Sequence, residues 1–214
     1  MDTEQHDLET IHDVSIPRDD KSGLSVVMIA STRAGKTFLL KHIVHNFFKD
    51  HIKILFSDSL QSDVYKELEK DCVSAPMYIP RLLKEAYKIQ FGTKNKYEFL
   101  FITDDVVNNK NDEEIKKMLT IYRNSRMSCI LCAQSTILLN SIGRNNVNIL
   151  LFGKCNSQEG IEQILKKFIG AYFPSEMKMI EKIKYYRELT KDHCFLMLNN
   201  LEGTIQRVRL TLPS

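Results

Sequence analysis

The sequence predicts an α/β protein with a mostly parallel central sheet, helices on its flanks and a C-terminal hairpin. Short apolar runs alternate with segments whose apolar residues recur at helical spacing, which is the pattern of parallel strands joined by helices. The last two runs, 193–200 and 204–211, flank an Asn-Leu-Glu-Gly turn and predict the hairpin. The chain of 214 residues, 43% hydrophobic and 27% charged, has an ordinary composition for one globular domain.

Local patterns predict the individual elements. Strands are expected where short runs are almost wholly apolar, at 24–29, 52–57, 97–106, 127–135 and 147–154. Helices are expected at 37–48, 111–125, 157–170 and 178–191, and the third has a capping signal at its start and a glycine at its end. A mixed helical stretch is expected at 60–91, with breaks near Pro76 and Pro80.

The chain is expected to comprise a flexible or loosely docked arm, 1–21, and one domain, 22–214. The arm begins with an acidic, polar stretch that does not resemble a secretory signal, and no apolar run approaches the length of a membrane span. The five cysteines are scattered along the chain. This distribution predicts a protein that is not secreted and that resides in a reducing compartment. The net charge of +3 permits an anionic partner without requiring one.

Neither the cysteines nor the histidines predict a metal or redox site. Cys129 and Cys132 form a C-x-x-C pair, but three residues apart on a strand they face opposite sides of the sheet. We therefore expect both to be core thiols. His42 and His45 share a helix face without further ligands nearby in sequence, and surface or packing roles are expected for them. The basic segment 178–191 is interpreted as a solvated helix face in preference to a nucleic-acid contact.

A phosphate-binding loop is predicted between the first strand and the first helix. Its residues are Ala30, Ser31, Thr32, Arg33, Ala34, Gly35, Lys36 and Thr37. Phosphates are favoured at a helix N-terminus by unpaired N–H groups and the helix dipole. Gly35 lets the backbone approach the phosphates, Lys36 supplies positive charge to the β- and γ-phosphates, and Thr37 offers a hydroxyl to Mg²⁺.

Ala30 departs from the usual pattern, which opens with glycine. Alanine fits this position if φ is negative, and it would be strained by roughly 1–2 kcal/mol if φ were positive. We interpret the loop as functional, which predicts ATP as the bound nucleotide.

Two further strand ends carry polar residues suited to this chemistry. Asp104 and Asp105 close the strand at 97–106, where ligands bind in open α/β sheets. Asp104 is predicted to hold Mg²⁺ through its hydration shell, and Asp105 to orient or deprotonate the attacking water. Gln134 ends the next strand and is predicted to lie between the loop and the metal, where it senses the γ-phosphate or positions water.

Arginines complete the predicted machinery. Arg123, Arg126 and Arg144 flank the fourth strand and its following segment. An arginine supplied by a neighbouring subunit can stabilise the transition state of phosphoryl transfer, and each of the three could equally be an ordinary surface residue.

The order and spacing of these motifs resemble the viral genome-packaging ATPases of the FtsK–HerA superfamily, in particular the poxvirus type. "FLFITDDV", "YRNSRMSCILCAQ" and "IGRNNVNILLF" match the family's aspartate-pair strand, its glutamine strand and its G-R-x-N segment. The family's histidine after the arginine is Asn124 here and its preceding glycine is Tyr122. The resemblance covers roughly residues 22 to 155.

The resemblance implies a P-loop NTPase with a RecA-like core that hydrolyses ATP with Mg²⁺. It also implies a homo-oligomeric ring, usually of six subunits, which translocates double-stranded DNA into a preformed capsid and engages capsid or portal-vertex proteins. Arg123 or Arg144 would then act across the subunit boundary. The implied location is the host cell, in a cytoplasmic viral factory, and the virion.

Two alternatives remain open at this stage, a P-loop nucleotide kinase and a nucleotide-binding interaction module with weak hydrolysis.

Overall fold

The computed structural model describes residues 8–17, 21–106, 112–136 and 145–210. The strands in these ranges are β1 Ile11–Asp13, β2 Ser25–Ile29, β3 Ile52–Ser57, β4 Cys72–Ala75, β5 Phe99–Asp104, β6 Met127–Ala133, β7 Ile149–Phe152, β8 Phe195–Asn199 and β9 Thr204–Arg209. The helices are α1 Lys36–Phe47, α2 Asp63–Glu69, α3 Pro80–Gly92, α4 Glu113–Thr120, α5 Gln158–Ile164 and α6 Met179–Leu189. Of the helices described, none is long and apolar enough to cross a membrane.

The strands form one sheet in the order β1-β9-β8-β7-β2-β6-β5-β3-β4. The six strands from β2 to β7 are parallel to one another, whereas β8 runs antiparallel to both β7 and β9. This arrangement confirms the mostly parallel sheet and the C-terminal hairpin. Because the central strands are parallel, the ends of β2, β5 and β6 meet at one edge of the sheet, which we call the carboxyl edge.

Alternation along the buried strands creates two hydrophobic cores, one on each face of the sheet. Val27 belongs to the core that is covered by α3 to α6, and Met28 belongs to the core that is covered by α1 and α2. Cys129 and Cys132 on β6 are divided in the same way and are both buried. The prediction that they are core thiols is confirmed, and burial raises the pKa of Cys129 to about 12.

Sequence patterns did not identify two of the strands. β4 lies inside the stretch 60–91, which was predicted as mixed helical with breaks near Pro76 and Pro80, and it pairs in parallel with β3. β1 lies inside the segment predicted as an arm and pairs in parallel with β9, with Ile11 opposite Arg207. Both are edge strands with largely exposed side chains, so neither has the apolar run that indicates a strand.

Candidate nucleotide-binding site

The predicted phosphate loop connects β2 to α1 at the carboxyl edge. Its first residues are hydrogen-bonded to the strands on either side of β2. The Ala30 amide donates to the carbonyl of Ala133 at the end of β6, at 3.1 Å. The Ser31 amide donates to the carbonyl of Lys154, just beyond β7, at 2.8 Å. The base of the loop is therefore held in place by backbone contacts that do not depend on a ligand.

Ala30 fits its position without backbone strain. Within the loop the residues with positive φ are Arg33, at 64°, and Gly35, at 94°, so Ala30 has the negative φ that alanine adopts readily. Its side chain is buried, with 1% of the residue exposed. It packs beside Gly153, where an added Cβ would lie 2.9 Å from the Ala30 Cβ. The loop thus accommodates alanine at the position where glycine is usual.

Gly35 ends the loop as the N-cap of α1. Its φ of 94° lies in the left-handed region, which favours glycine. His193, from the turn between α6 and β8, covers this position, because a Cβ on Gly35 would lie 3.2 Å from its Nδ1. The same nitrogen is 3.4 Å from the carbonyl oxygen of Ala34. No sequence motif identified His193, which is 159 residues from its partner Ala34.

Four predicted site residues form a connected polar network. The Lys36 ammonium donates to both carboxylate oxygens of Asp105, at 3.3 and 3.2 Å. The Gln134 amide donates to Asp105 at 3.0 Å, and Thr32 donates to the Gln134 carbonyl oxygen at 3.4 Å. The structure thus brings Lys36, Asp105 and Gln134 together, and the glutamine is bonded both to the loop, at Thr32, and to Asp105.

Asp104 lies deeper than Asp105, with 8% of the residue exposed. The hydroxyl of Tyr65, on α2, donates to Oδ2 of Asp104, whereas Oδ1 is buried and has no hydrogen-bond partner among the residues that the structure describes. Burial raises the pKa of the Asp104 carboxyl above its ordinary value, and the hydrogen bond from Tyr65 opposes this rise. Burial beside this acid in turn raises the pKa of the Tyr65 hydroxyl. Tyr65 was not identified from the sequence.

The residues at this point fit a magnesium ion bound with nucleotide. Burying a carboxylate oxygen without a hydrogen-bond partner costs free energy unless a ligand binds to it. Oδ1 of Asp104 is such an oxygen among the described residues. Thr37 lies in the first turn of α1. Within the described ranges, no group of three or more His, Cys, Asp or Glu side chains could hold a metal. Mg²⁺ characteristically takes few protein ligands and completes its shell with phosphate oxygens and water.

Arg123 and Arg126 lie at the opposite, amino edge of the sheet. Arg123 precedes β6, where its guanidinium donates to the carbonyl of Asn146 at 3.2 Å. Arg126 is bound to Glu98, just before β5. β6 has seven residues, so it separates these arginines from the phosphate loop by about 20 Å. Arg144 lies outside the described residues.

The sheet order and the loop define the class of fold as a P-loop, RecA-like α/β domain. The strand that carries Asp104 is not adjacent to β2, the loop strand, because β6 lies between them. Gln134, at the end of β6, is consequently placed between the nucleotide loop and the acids.

Solved structures with this fold include viral DNA-packaging ATPases. The DNA-packaging ATPase B204 of Sulfolobus turreted icosahedral virus superposes with a TM-score of 0.66 at 17% identity, covering 90% of this chain and all of that chain. B204 of Sulfolobus turreted icosahedral virus 2, in complex with AMPPCP, superposes with a TM-score of 0.64 at 15% identity, covering 91% of this chain and all of its own. The pCW3 conjugation coupling protein TcpA has a TM-score of 0.62 at 12% identity, covering 90% of this chain and 61% of its own.

These structures confirm, at the level of the fold, the resemblance to viral packaging ATPases that the motifs indicated. No protein-family model and no curated protein matches the chain.

Proposed function

We propose that the chain is a Mg²⁺-dependent ATPase that drives double-stranded DNA into a preformed viral capsid. The observation that carries the ATPase part is the constellation at the carboxyl edge, where Lys36, Asp105 and Gln134 are joined by hydrogen bonds beside the phosphate loop. The DNA-packaging part rests on the likeness of fold to B204 and on the order of motifs along the sequence.

Each residue has a distinct proposed role. Lys36 binds the β- and γ-phosphates, and Thr37 and Asp104 would hold a Mg²⁺ ion, whose positive charge would offset the charge that develops on the phosphates. Asp105 accepts the proton of the attacking water, and Gln134 positions that water or senses the γ-phosphate. In the structure Asp105 is paired with Lys36, so nucleotide binding is expected to draw the ammonium toward phosphate and release Asp105 for water.

We further propose that the active assembly is a homo-oligomeric ring in the cytoplasm of an infected host cell. A neighbouring subunit would supply Arg123 or Arg144, and capsid or portal-vertex proteins would anchor the ring. The nucleotide-binding interaction module is less favoured as an alternative, because Ala30 has a negative φ and imposes no strain on the loop.

An assay of phosphate release from radiolabelled ATP tests the proposal. It should be run with and without double-stranded DNA, and with nucleoside monophosphates as acceptors. We expect Mg²⁺-dependent hydrolysis that DNA stimulates. Transfer of label to a monophosphate would instead identify a kinase, and binding without turnover would identify an interaction module.

Lys36→Ala is the control for this assay. Lys36 is the first residue of α1 and acts on phosphate charge, so hydrolysis should be abolished while the melting temperature stays close to that of the parent. Unchanged turnover in a folded variant would exclude this loop as the site of hydrolysis.

A further inference from the structure

The first turn of α1 presents an aromatic ring to solvent beside the phosphate loop. Phe38 directly follows Lys36 and Thr37 and has 60% of its surface exposed, whereas the next residues, Leu39 and Leu40, are buried. The amphipathic pattern of α1 therefore does not explain why a large apolar side chain stands at this position.

An unusual turn places a second ring nearby. Asp192 and His193 have φ values of 53° and 59°, a conformation that is uncommon outside glycine. This turn directs His193 onto the loop, 3.4 Å from the Ala34 carbonyl, and leaves the residue exposed. Backbone conformations of this kind are sparsely populated, and they concentrate at functional sites.

Both rings belong to residues at or against the start of α1. Gly35 is the N-cap of α1, and Phe38 lies in the first turn that follows it. His193 covers Gly35. Side chains on a helix tilt toward its N-terminus, and Phe38 therefore leans toward the loop.

The sheet order determines which part of a nucleotide would reach these rings. Asp104 ends β5, Asp105 follows it, and Gln134 follows β6, all on one side of β2, where they would set the position of the γ-phosphate. His193 precedes β8, on the other side of β2 beyond β7. A triphosphate that crosses the loop with its γ-phosphate toward the acids leaves its nucleoside on the side of β8.

We propose that the base of the bound nucleoside triphosphate stacks on Phe38, with His193 bounding the opposite side of the base subsite. This inference rests on the proposed nucleotide-binding function and adds a recognition residue to it. Stacking on an aromatic ring uses the π-face that every base has, so Phe38 would strengthen binding of nucleoside triphosphates over inorganic triphosphate.

Equilibrium binding of ATP and of inorganic tripolyphosphate, each with Mg²⁺, tests the base subsite. Phe38→Ala should weaken ATP binding about tenfold, because loss of base stacking has a cost of that order, and should leave tripolyphosphate binding unchanged. Phe38→Trp should bind ATP about as tightly as the parent, because the indole ring can stack on the base in place of the phenyl ring. The natural chain contains no tryptophan, so the introduced indole is a specific reporter, and ATP should change its fluorescence while tripolyphosphate should not.

Phe91 provides the matched control, because it is a phenylalanine on α3 with 78% of its surface exposed. Phe91→Ala should bind both ligands like the parent, and the fluorescence of Phe91→Trp should not respond to ATP. If the parent chain binds neither ATP nor tripolyphosphate, the proposed function itself fails. If the parent binds both, and Phe38→Ala weakens both equally or neither, the base subsite is overturned while the phosphate site stands.

Discussion

Ala30 occupies the first position of the phosphate loop with a negative φ and a buried side chain. Ala30→Gly should therefore leave ATP affinity within a few-fold. It should also lower the free energy of unfolding by roughly 0.4–1 kcal/mol, because glycine adds conformational freedom to the unfolded chain. Titration of a fluorescent ATP analogue and a urea unfolding curve measure the two effects. Binding that becomes about tenfold tighter would mean that alanine distorts the loop.

Asp105 is the residue whose substitution should separate binding from chemistry. Asp105→Asn keeps the size of the side chain and can still accept a hydrogen bond from Gln134, but it cannot take a proton from water. We expect Mg²⁺-ATP binding to persist and turnover to fall by about 10²–10⁴, the usual contribution of a general base.

Single-turnover hydrolysis together with nucleotide binding measures the effect of Asp105→Asn. Asp71→Asn, at an exposed position after α2, is the control for removing one carboxylate. Loss of nucleotide binding in a folded Asp105→Asn chain would show that Asp104 and Asp105 have exchanged roles.

At the scale of residues, local motifs predict only part of the site. Gly35, Lys36 and the aspartate pair could be read from the sequence, because phosphate and metal chemistry restricts the residue types and their spacing. Tyr65 and His193 could not be read in this way. Each reaches the site from a distant element through packing, and a tyrosine on an amphipathic helix or a histidine in a turn has no local signature.

At the scale of elements, α2 supports the proposed metal site through the hydrogen bond from Tyr65 to Asp104. Its hydrogen bond lowers the pKa of Asp104 against the opposing effect of burial. Tyr65→Phe removes that bond, so the pKa should rise further and the carboxylate should be protonated at higher pH. Because only the ionised form can hold the Mg²⁺ shell, the acidic limb of the kcat/KM profile should shift toward higher pH.

Thermal unfolding gives a second measure of Tyr65→Phe. A carboxyl whose folded-state pKa is raised stabilises the fold at low pH and loses that contribution as pH rises. The variant should therefore be less stable than the parent at neutral pH, with a difference that shrinks on acidification. Tyr78→Phe removes a hydroxyl bonded to Asp112, outside the site, and serves as the control. An unshifted pH profile would exclude this role for Tyr65.

The predictability of an element follows from its burial. β3 was predicted with its observed bounds, 52–57, because nearly all of it is buried between the two cores. β1 and β4 were missed because edge strands keep polar or exposed side chains. The helix predicted at 157–170 is α5 followed by π-helical and 3₁₀ turns, a change of backbone winding that apolar spacing does not reveal.

At the scale of the whole molecule, the sheet separates two parts of the proposed machinery. The phosphate loop and both aspartates lie at the carboxyl edge, and Arg123 lies at the amino edge, about 20 Å away. An arginine side chain cannot span that distance within one chain. If Arg123 acts in catalysis, it must therefore reach the nucleotide of another subunit.

A complementation experiment tests whether Arg123 acts in this way. Arg123→Ala alone should reduce turnover about 10³-fold or more, the usual contribution of such an arginine. Lys36→Ala alone should also be inactive. Co-expression of the two variants at equal levels should restore about a quarter of the parent activity, because a random ring pairs an intact loop with an intact neighbouring arginine at that fraction of interfaces.

The matched control for complementation is the mixture of Lys36→Ala with Asp105→Asn. Lys36 and Asp105 are ion-paired within one chain, so in this mixture every subunit carries a damaged site and no neighbour can repair it. Activity should stay at the level of the single variants. Size-exclusion chromatography establishes that all mixtures assemble alike. If the Arg123→Ala mixture assembles but recovers no more activity than this control, Arg123 does not act between subunits, and the arginine must be sought elsewhere, first at Arg144.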